Sequence, residues 1–187
     1  MTRARRAVGG ACFRIASIVL MAVAAAAGWV ACSPALNWRE VRPSGSGLEA
    51  VFPCQPDRHE RRVLLAGASV SMQMEVCAAA GLTFAVSFVD LDTPERLARG
   101  MTELRALAVG NIGGTESQTG ALQVPGMTPN PGAVVLGVQG RLAGAAPVRL
   151  RAAFFSKGLR LFQATVLGAD PSDDATQPFF AGLKLPT

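Results

Sequence analysis

An unbroken apolar stretch, Ile15 to Ala31, most constrains what this 187-residue chain can fold into, because it separates a basic leader from the rest of the protein. No acidic residue precedes the stretch. The leader contains four arginines, Arg3, Arg5, Arg6 and Arg14. A basic segment, an apolar segment and then small residues is the order found in a secretory signal peptide. We therefore expect residues 1–31 to be an export signal, which leaves 156 residues for the folded protein.

The end of this region, Trp29-Val30-Ala31-Cys32, resembles the lipobox of bacterial lipoproteins. In that family the cysteine becomes the lipidated first residue of the mature protein. Trp29 stands where the family usually has leucine. The resemblance implies an acylated Cys32 that anchors the chain in the cell envelope, facing the periplasm. Because Ser33 rather than aspartate follows the cysteine, the resemblance also implies the outer membrane rather than the inner.

Two alternatives to cleavage at Cys32 stay open. Ile15 to Ala31 is 17 residues long, which is the short limit of a membrane-spanning helix at roughly 17–25 residues. An uncleaved stretch would make the chain an N-terminally anchored inner-membrane protein with a periplasmic domain. Cleavage after Ser33-Pro34-Ala35 would instead release a soluble protein.

The charge balance argues against a nucleic-acid partner. The chain has 18 Lys and Arg residues against 13 Asp and Glu. Four of the basic residues lie in the predicted signal, so fourteen basic and thirteen acidic residues remain. A nearly neutral protein has no general attraction to phosphate backbones. Its length suits one domain, and we expect a signal at 1–31, a lipidated N-terminus and tether at 32–47, and a single domain at 48–187.

The cysteines predict one disulfide bond. Cys12 lies in the signal and Cys32 at the lipobox, which leaves Cys54 and Cys77. A lone pair in an oxidising compartment favours a bridge, although two free buried thiols, or a redox or metal pair, stay open. His59 is the only histidine and lies in what reads as a charged loop. No cofactor or metal is expected.

Alternating residues predict most of the strands. Val70 to Val76 places apolar residues on one face and Ser71, Gln73 and Glu75 on the other, which is typical of a strand with one face in water. The same alternation puts Cys77 on the water-facing side. The predicted strands are Leu48–Phe52, Arg61–Leu65, Val70–Val76, Thr83–Val89, Ala133–Gln139, Val148–Phe155 and Leu159–Leu167, with a tight Lys157-Gly158 hairpin.

Two helices interrupt the strands. Thr93 and Pro94 form a helix start, and Gly110 ends that helix. Its apolar stripe consists of Leu97, Met101, Leu104 and Ala108. A glycine- and proline-rich loop follows at 111–132, with a short strand at Ala121–Val124. A second helix is predicted at Asp173–Leu183.

These elements predict an α+β fold, a largely antiparallel sheet of about six to seven strands with two helices packed on it. Val51-Phe52-Pro53-Cys54-Gln55-Pro56, together with the segments 160–166 and 179–183, resembles the conserved frame of bacterial proteins with the Mog1/PsbP-like fold. Cys54 stands where those proteins often have glycine. The resemblance implies a binding or assembly factor without catalytic residues.

The function expected from the sequence is that of a non-catalytic cell-envelope lipoprotein, a binding or assembly module with an envelope protein partner. It would present the 111–132 loop and one sheet face. The alternative is a periplasmic carrier of a small or lipid ligand, held between helix and sheet. Five arginines are candidates for contact with anionic lipid or glycan. They are Arg58, Arg61, Arg62, Arg149 and Arg151. The simpler interpretation is that they form a solvated face of the sheet.

Overall fold

The computed structural model describes residues 36–142 and 146–186. The predicted signal and Cys32 lie outside these residues. Within them the chain forms nine strands and two helices. The strands are β1 Arg39–Val41, β2 Ala50–Phe52, β3 Asp57–Leu65, β4 Ala68–Ala79, β5 Leu82–Asp90, β6 Thr115–Ala121, β7 Val134–Arg141, β8 Pro147–Lys157 and β9 Arg160–Gly168. The helices are α1 Pro94–Gly110 and α2 Asp173–Ala181.

Seven strands form one antiparallel sheet in the order β3-β4-β5-β9-β8-β7-β6. The sheet consists of two meanders, β3 to β5 and β6 to β9, joined where β5 pairs with β9. β1 and β2 pair separately, so residues 39–41 of the predicted tether belong to a strand. The prediction of an antiparallel α+β fold with two helices is confirmed.

Helix α1 covers one face of the sheet, called here the α1 face. The Thr93 hydroxyl accepts a hydrogen bond from the Arg96 backbone N–H at 3.2 Å, which satisfies a free donor of the first turn. The whole predicted stripe of α1 is buried. It packs over Leu136, Phe154 and Leu161.

The opposite face, called the α2 face, is covered by α2, by β1 and β2, and by the C-terminal residues Leu183 and Leu185. Phe179 of α2 contacts Phe84 of β5, with ring centroids 5.4 Å apart. Phe155 and Phe162 stack in the same core at 5.1 Å. Apolar layers therefore lie on both sides of the central strands.

This arrangement corrects the predicted water-facing side of β4. Gln73, Glu75 and Cys77 point to the α2 face, where Glu75 is 9% exposed and Cys77 only 4% exposed. Val70 and Met72, on the α1 face, are only partly buried. The alternation marks two faces correctly, but the polar residues do not face water at the Cys77 end because α2 and the β1–β2 pair cover it.

The 111–132 segment also differs from its prediction. The strand lies at β6, Thr115–Ala121, rather than at Ala121–Val124. β6 pairs with β7 and carries an irregularity between Glu116 and Gln118. Its residues are nearly all polar or glycine, so it has no apolar alternation to detect. A polar, bulged strand is typical of a sheet edge that is protected from further pairing.

The other edge strand, β3, begins four residues earlier than predicted and includes His59. His59 therefore lies on an exposed strand rather than in a loop. The charged residues of β3 serve the same edge-protecting purpose as the bulge in β6. The predicted hairpin between β8 and β9 is confirmed, with Gly158 at φ 56°. α2 ends at Ala181, two residues before the predicted end.

Candidate functional site

Helix α1 leaves part of its sheet face uncovered. It contacts β8, β9 and the end of β3, so the α1 face of β4 and β5 beside its second half is open. The result is a groove of about 260 Å³, called the α1 groove. Its floor consists of Met72, Met74, Ala85, Ser87, Gln163 and Thr165, its helix wall of Leu104, Leu107, Ala108 and Asn111, and its β3 side of Val63, Leu64 and Leu65.

The wall of the α1 groove exposes an apolar side chain that the fold does not use. Leu107 lies outside the buried stripe of α1 and is 49% exposed. Met72 and Met74 are half-buried on the floor below it. Beside them, Ser87, Gln163 and Thr165 are neutral and polar. The groove therefore offers apolar contact and hydrogen-bonding groups but no charge at its floor.

On the β3 side, the basic residues His59 and Arg61 lie just beyond the lining residues of the groove, and we call them its rim. Arg61 pairs in register with Met72, and His59 with Met74. Directly opposed residues of an antiparallel pair share a face, with Cβ atoms about 4.5–5.5 Å apart. Arg61 and His59 therefore lie on the α1 face, next to the two methionines. By the same alternation Arg58 and Arg62 lie on the α2 face.

Most arginines of the described chain form ion pairs, and Arg61 and Arg62 are exceptions. Arg99 bonds Glu103 at 2.8 Å, and Arg105 bonds Glu116 at 2.5 Å. Further pairs are Arg42–Glu49, Arg96–Asp92, Arg149–Asp170, Arg151–Asp173 and Arg160–Asp90. Within residues 36–142 and 146–186, neither Arg61 nor Arg62 makes an ion pair. The rim of the groove therefore carries a positive charge that the fold leaves uncompensated.

The predicted cluster of five arginines is not one patch. β3 and β8 are separated by three strands in the sheet, and Arg61 faces the side opposite to the others. Arg149 is neutralised by Asp170 at 2.7 Å. Arg151 pairs with Asp173, donates a hydrogen bond to the Thr176 hydroxyl at 2.8 Å, and lies 5.5 Å from the Phe180 ring centre. Both β8 arginines thus hold the start of α2 against the sheet.

The disulfide prediction is confirmed, since Cys54 and Cys77 are bonded with their Cα atoms 6.0 Å apart. The expectation that Cys77 lies on the water-facing side is wrong. Cys77 is part of the core on the α2 face, with Phe84 and Val86. The bridge ties the segment after β2 to β4 and so fixes the β1–β2 pair to the main sheet.

Glu75 is a charged residue in an unusual position. It lies on the α2 face of β4, where burial raises the pKa of its carboxyl above the ordinary value. Arg58, its register partner on β3, and His59 lower the pKa by a smaller amount. The carboxyl does not reach the α1 groove, which lies on the other face. Glu75 therefore affects stability rather than the groove.

The described residues hold no group of three His, Cys, Asp or Glu side chains placed to bind a metal ion. None of the helices in this part of the chain is long and apolar enough to cross a membrane. The sequence matches no protein-family model, and no curated protein is significantly similar to it. The geometry of the groove is therefore the main guide to function.

Sequence reasoning located the elements around the groove but not the groove itself. The predicted stripe of α1 contains the apolar residues that recur at every third or fourth position, and Leu107 is not one of them. An apolar residue off the buried stripe was the available signal, because it has no partner within the helix's own packing. Its exposure depends on how far α1 extends across the sheet, which the sequence pattern does not contain.

Proposed function

We propose that the protein is a non-catalytic lipoprotein of the bacterial cell envelope that binds another envelope protein through the α1 groove. The groove is the observation that carries this proposal, because the exposed Leu107 and the half-buried Met72 and Met74 form an accessible apolar surface beside a charged rim. Contiguous apolar surface of this kind, bordered by polar residues, marks interaction sites in folded proteins.

The lipobox-like segment supports a lipid anchor at Cys32. Only four residues lead from Cys32 to Leu36, a span of at most about 14 Å. Trp38 follows closely and packs on Phe84 of the α2 face, with ring centroids 6.0 Å apart. An anchored protein would thus have the start of its fold near the membrane.

The size and shape of the groove favour docking over carriage. Pockets that carry small ligands typically have volumes of about 300–1,000 Å³ and bury most of the ligand. The α1 groove measures about 260 Å³ and is not an enclosed cavity. Carriage of a lipid or small ligand is the second candidate, which the floor residues Met72 and Met74 would serve. Ser33 supports the outer membrane as location, and an uncleaved inner-membrane anchor is the alternative.

Photocrosslinking in intact envelopes tests the groove. A photoreactive amino acid replaces Leu107, which is 49% exposed, or Leu159, which is 37% exposed and lies in the β8–β9 hairpin. We expect a discrete crosslinked protein product from position 107 and none from position 159, because only the first lines the groove. Products from both positions, or from neither, would contradict a binding function of this surface.

A further inference from the structure

We infer that the α1 groove receives an amphipathic α-helix of the partner, with its apolar side on the floor and acidic residues towards Arg61. This inference rests on the proposed binding function and adds the chemistry of the partner. It follows from the width of the groove, the composition of its floor and the charge of its rim.

The width of the open sheet face suits one helix. Helix α1 lies over β8 and β9 and reaches β3 only at the end of that strand, where Glu103 accepts a hydrogen bond from the Ala66 backbone N–H. Beside the second half of α1, β3 is three strand spacings from β9. Strands are about 4.8 Å apart, so the open face measures about 14 Å across. An α-helix with its side chains is about 10–12 Å in diameter. A second helix beside α1 would therefore complete the helical layer on this face.

The floor suits an apolar helix side rather than a charged one. Met72 and Met74 are flexible, polarisable side chains of the kind that adapt to different apolar partners. Leu107 would pack against the docked helix from the α1 side, as helices of one layer do at axis distances of about 8–10 Å. Ser87, Gln163 and Thr165 bring no charge to compensate a buried ion. A charged group on the floor would thus lose its hydration without a counter-ion.

The positive charge of the rim favours acidic residues on the flank of the docked helix. Arg61 lies beside Met72 and has no ion pair in the described chain. Glu103 of α1 is already bonded to Arg99 and to the Ala66 backbone N–H. Asp57 shares the α1 face of β3 but lies four residues from Arg61, about 13 Å along the strand. An acidic side chain from the partner is therefore the missing counter-charge of Arg61.

A pair of designed peptides tests this chemistry. Each has about 18 residues, five helical turns, with one leucine face. One peptide carries glutamates along a flank of that face, and the other carries lysines at the same positions. Binding to the full-length protein in neutral phosphatidylcholine nanodiscs is measured by fluorescence anisotropy, with empty nanodiscs subtracted. We expect the glutamate peptide to bind at least about tenfold more tightly, with an affinity that falls as salt rises.

Matched variants locate the binding. Arg61→Glu should weaken the glutamate peptide about three- to tenfold, whereas Arg62→Glu should not, because it makes the same charge change on the opposite face of β3. Leu107→Asp should weaken both peptides at least about tenfold through lost apolar contact, and Leu159→Asp should have no effect. Circular dichroism checks that each variant is folded.

Five results would each overturn the inference. Equal affinities of the two peptides, or equal effects of Arg61→Glu and Arg62→Glu, would show that the groove does not select an acidic helix. Binding of phosphatidylglycerol vesicles that depends on Leu107 would identify a lipid surface instead, and self-association that depends on Leu107 would identify a second copy. If neither peptide binds while position 107 still crosslinks to a protein, the proposed binding function stands and the helical partner is wrong.

Discussion

At the residue scale, Glu75 shows how its surroundings alter a carboxyl group. Burial on the α2 face raises its pKa, and Arg58 and His59 only partly offset this effect. Glu116 lies in the opposite situation, because hydrogen bonds from Arg105 hold the pKa of its carboxyl below the ordinary value. Two glutamates of one sheet therefore make opposite contributions to the pH dependence of stability.

The pH dependence of these contributions follows from the direction of each shift. The stability that Glu75 contributes is present below its unfolded pKa and is lost as the pH rises through its folded pKa. Glu75→Gln should therefore raise the melting temperature at pH 7 and leave it unchanged near pH 3. Glu116→Gln should lower the melting temperature at pH 7. The difference from the parent should vanish as the pH falls through the pKa of Glu116 in the folded state. Thermal unfolding of purified full-length variants at a series of pH values measures both, and a less stable Glu75→Gln at pH 7 would refute the argument.

At the element scale, the Cys54–Cys77 bond joins parts that share few other constraints. β1 and β2 form their own two-stranded sheet, and the bridge connects the segment after β2 to β4. The Asn37 backbone N–H also bonds to the Pro53 carbonyl at 2.8 Å, and Glu49 pairs with Lys184. The small sheet is thus held at both ends against the α2 face.

Removal of this disulfide should destabilise the fold measurably. A loop closed across 23 positions is worth about 3 kcal/mol in the chain-entropy model. We expect the double variant Cys54→Ala, Cys77→Ala to melt about 6–12 °C below the oxidised parent, because each kcal/mol lost lowers the melting temperature of a domain of this size by about 2–4 °C. Circular dichroism of the full-length protein gives the melting temperatures. A reducing agent should lower the melting temperature of the parent and leave that of the variant unchanged. A parent whose melting temperature does not respond to reduction would argue against a stabilising bridge.

At the scale of the whole molecule, two features together define the proposal. The chain begins with a segment that resembles a lipoprotein signal, and the described body has an open groove on the face opposite Trp38. In the proposed function, a lipid anchor and this groove would together bring a partner close to the membrane. Seven arginines of the described residues pair with carboxylates, whereas Arg61 and Arg62 of β3 do not.

The anchor can be tested by mass spectrometry of the membrane-extracted protein. We expect the mature chain to begin at Cys32 with acyl groups attached, and Cys32→Ala to abolish both the processing and the mass of the lipid. Ser33→Ala is the control and should still be processed. An intact N-terminus with no acylation would contradict the lipoprotein proposal and favour the uncleaved anchor.

The sequence alone predicted the elements whose signals are local. The stripe of α1, the Thr93 cap and the alternating strands β4, β5, β8 and β9 follow from side-chain periodicity. β6 could not be found in this way, because its residues carry no apolar alternation and it forms only by pairing with the free edge of β7. His59 was misplaced for a similar reason, since the charges that protect an edge strand read as a loop.

The sequence by itself predicted the antiparallel α+β class and the charge balance, because both depend on residue type and spacing along the chain. It favoured a Cys54–Cys77 bridge by elimination of the other cysteines, and the structure established that pairing. Only the tertiary structure decided which faces of the sheet are covered. It turned Glu75 and Cys77 inward, paired most arginines with carboxylates and left Leu107 exposed above β4. Burial is set by the elements that dock from elsewhere in the chain, and no stretch of sequence contains that information on its own.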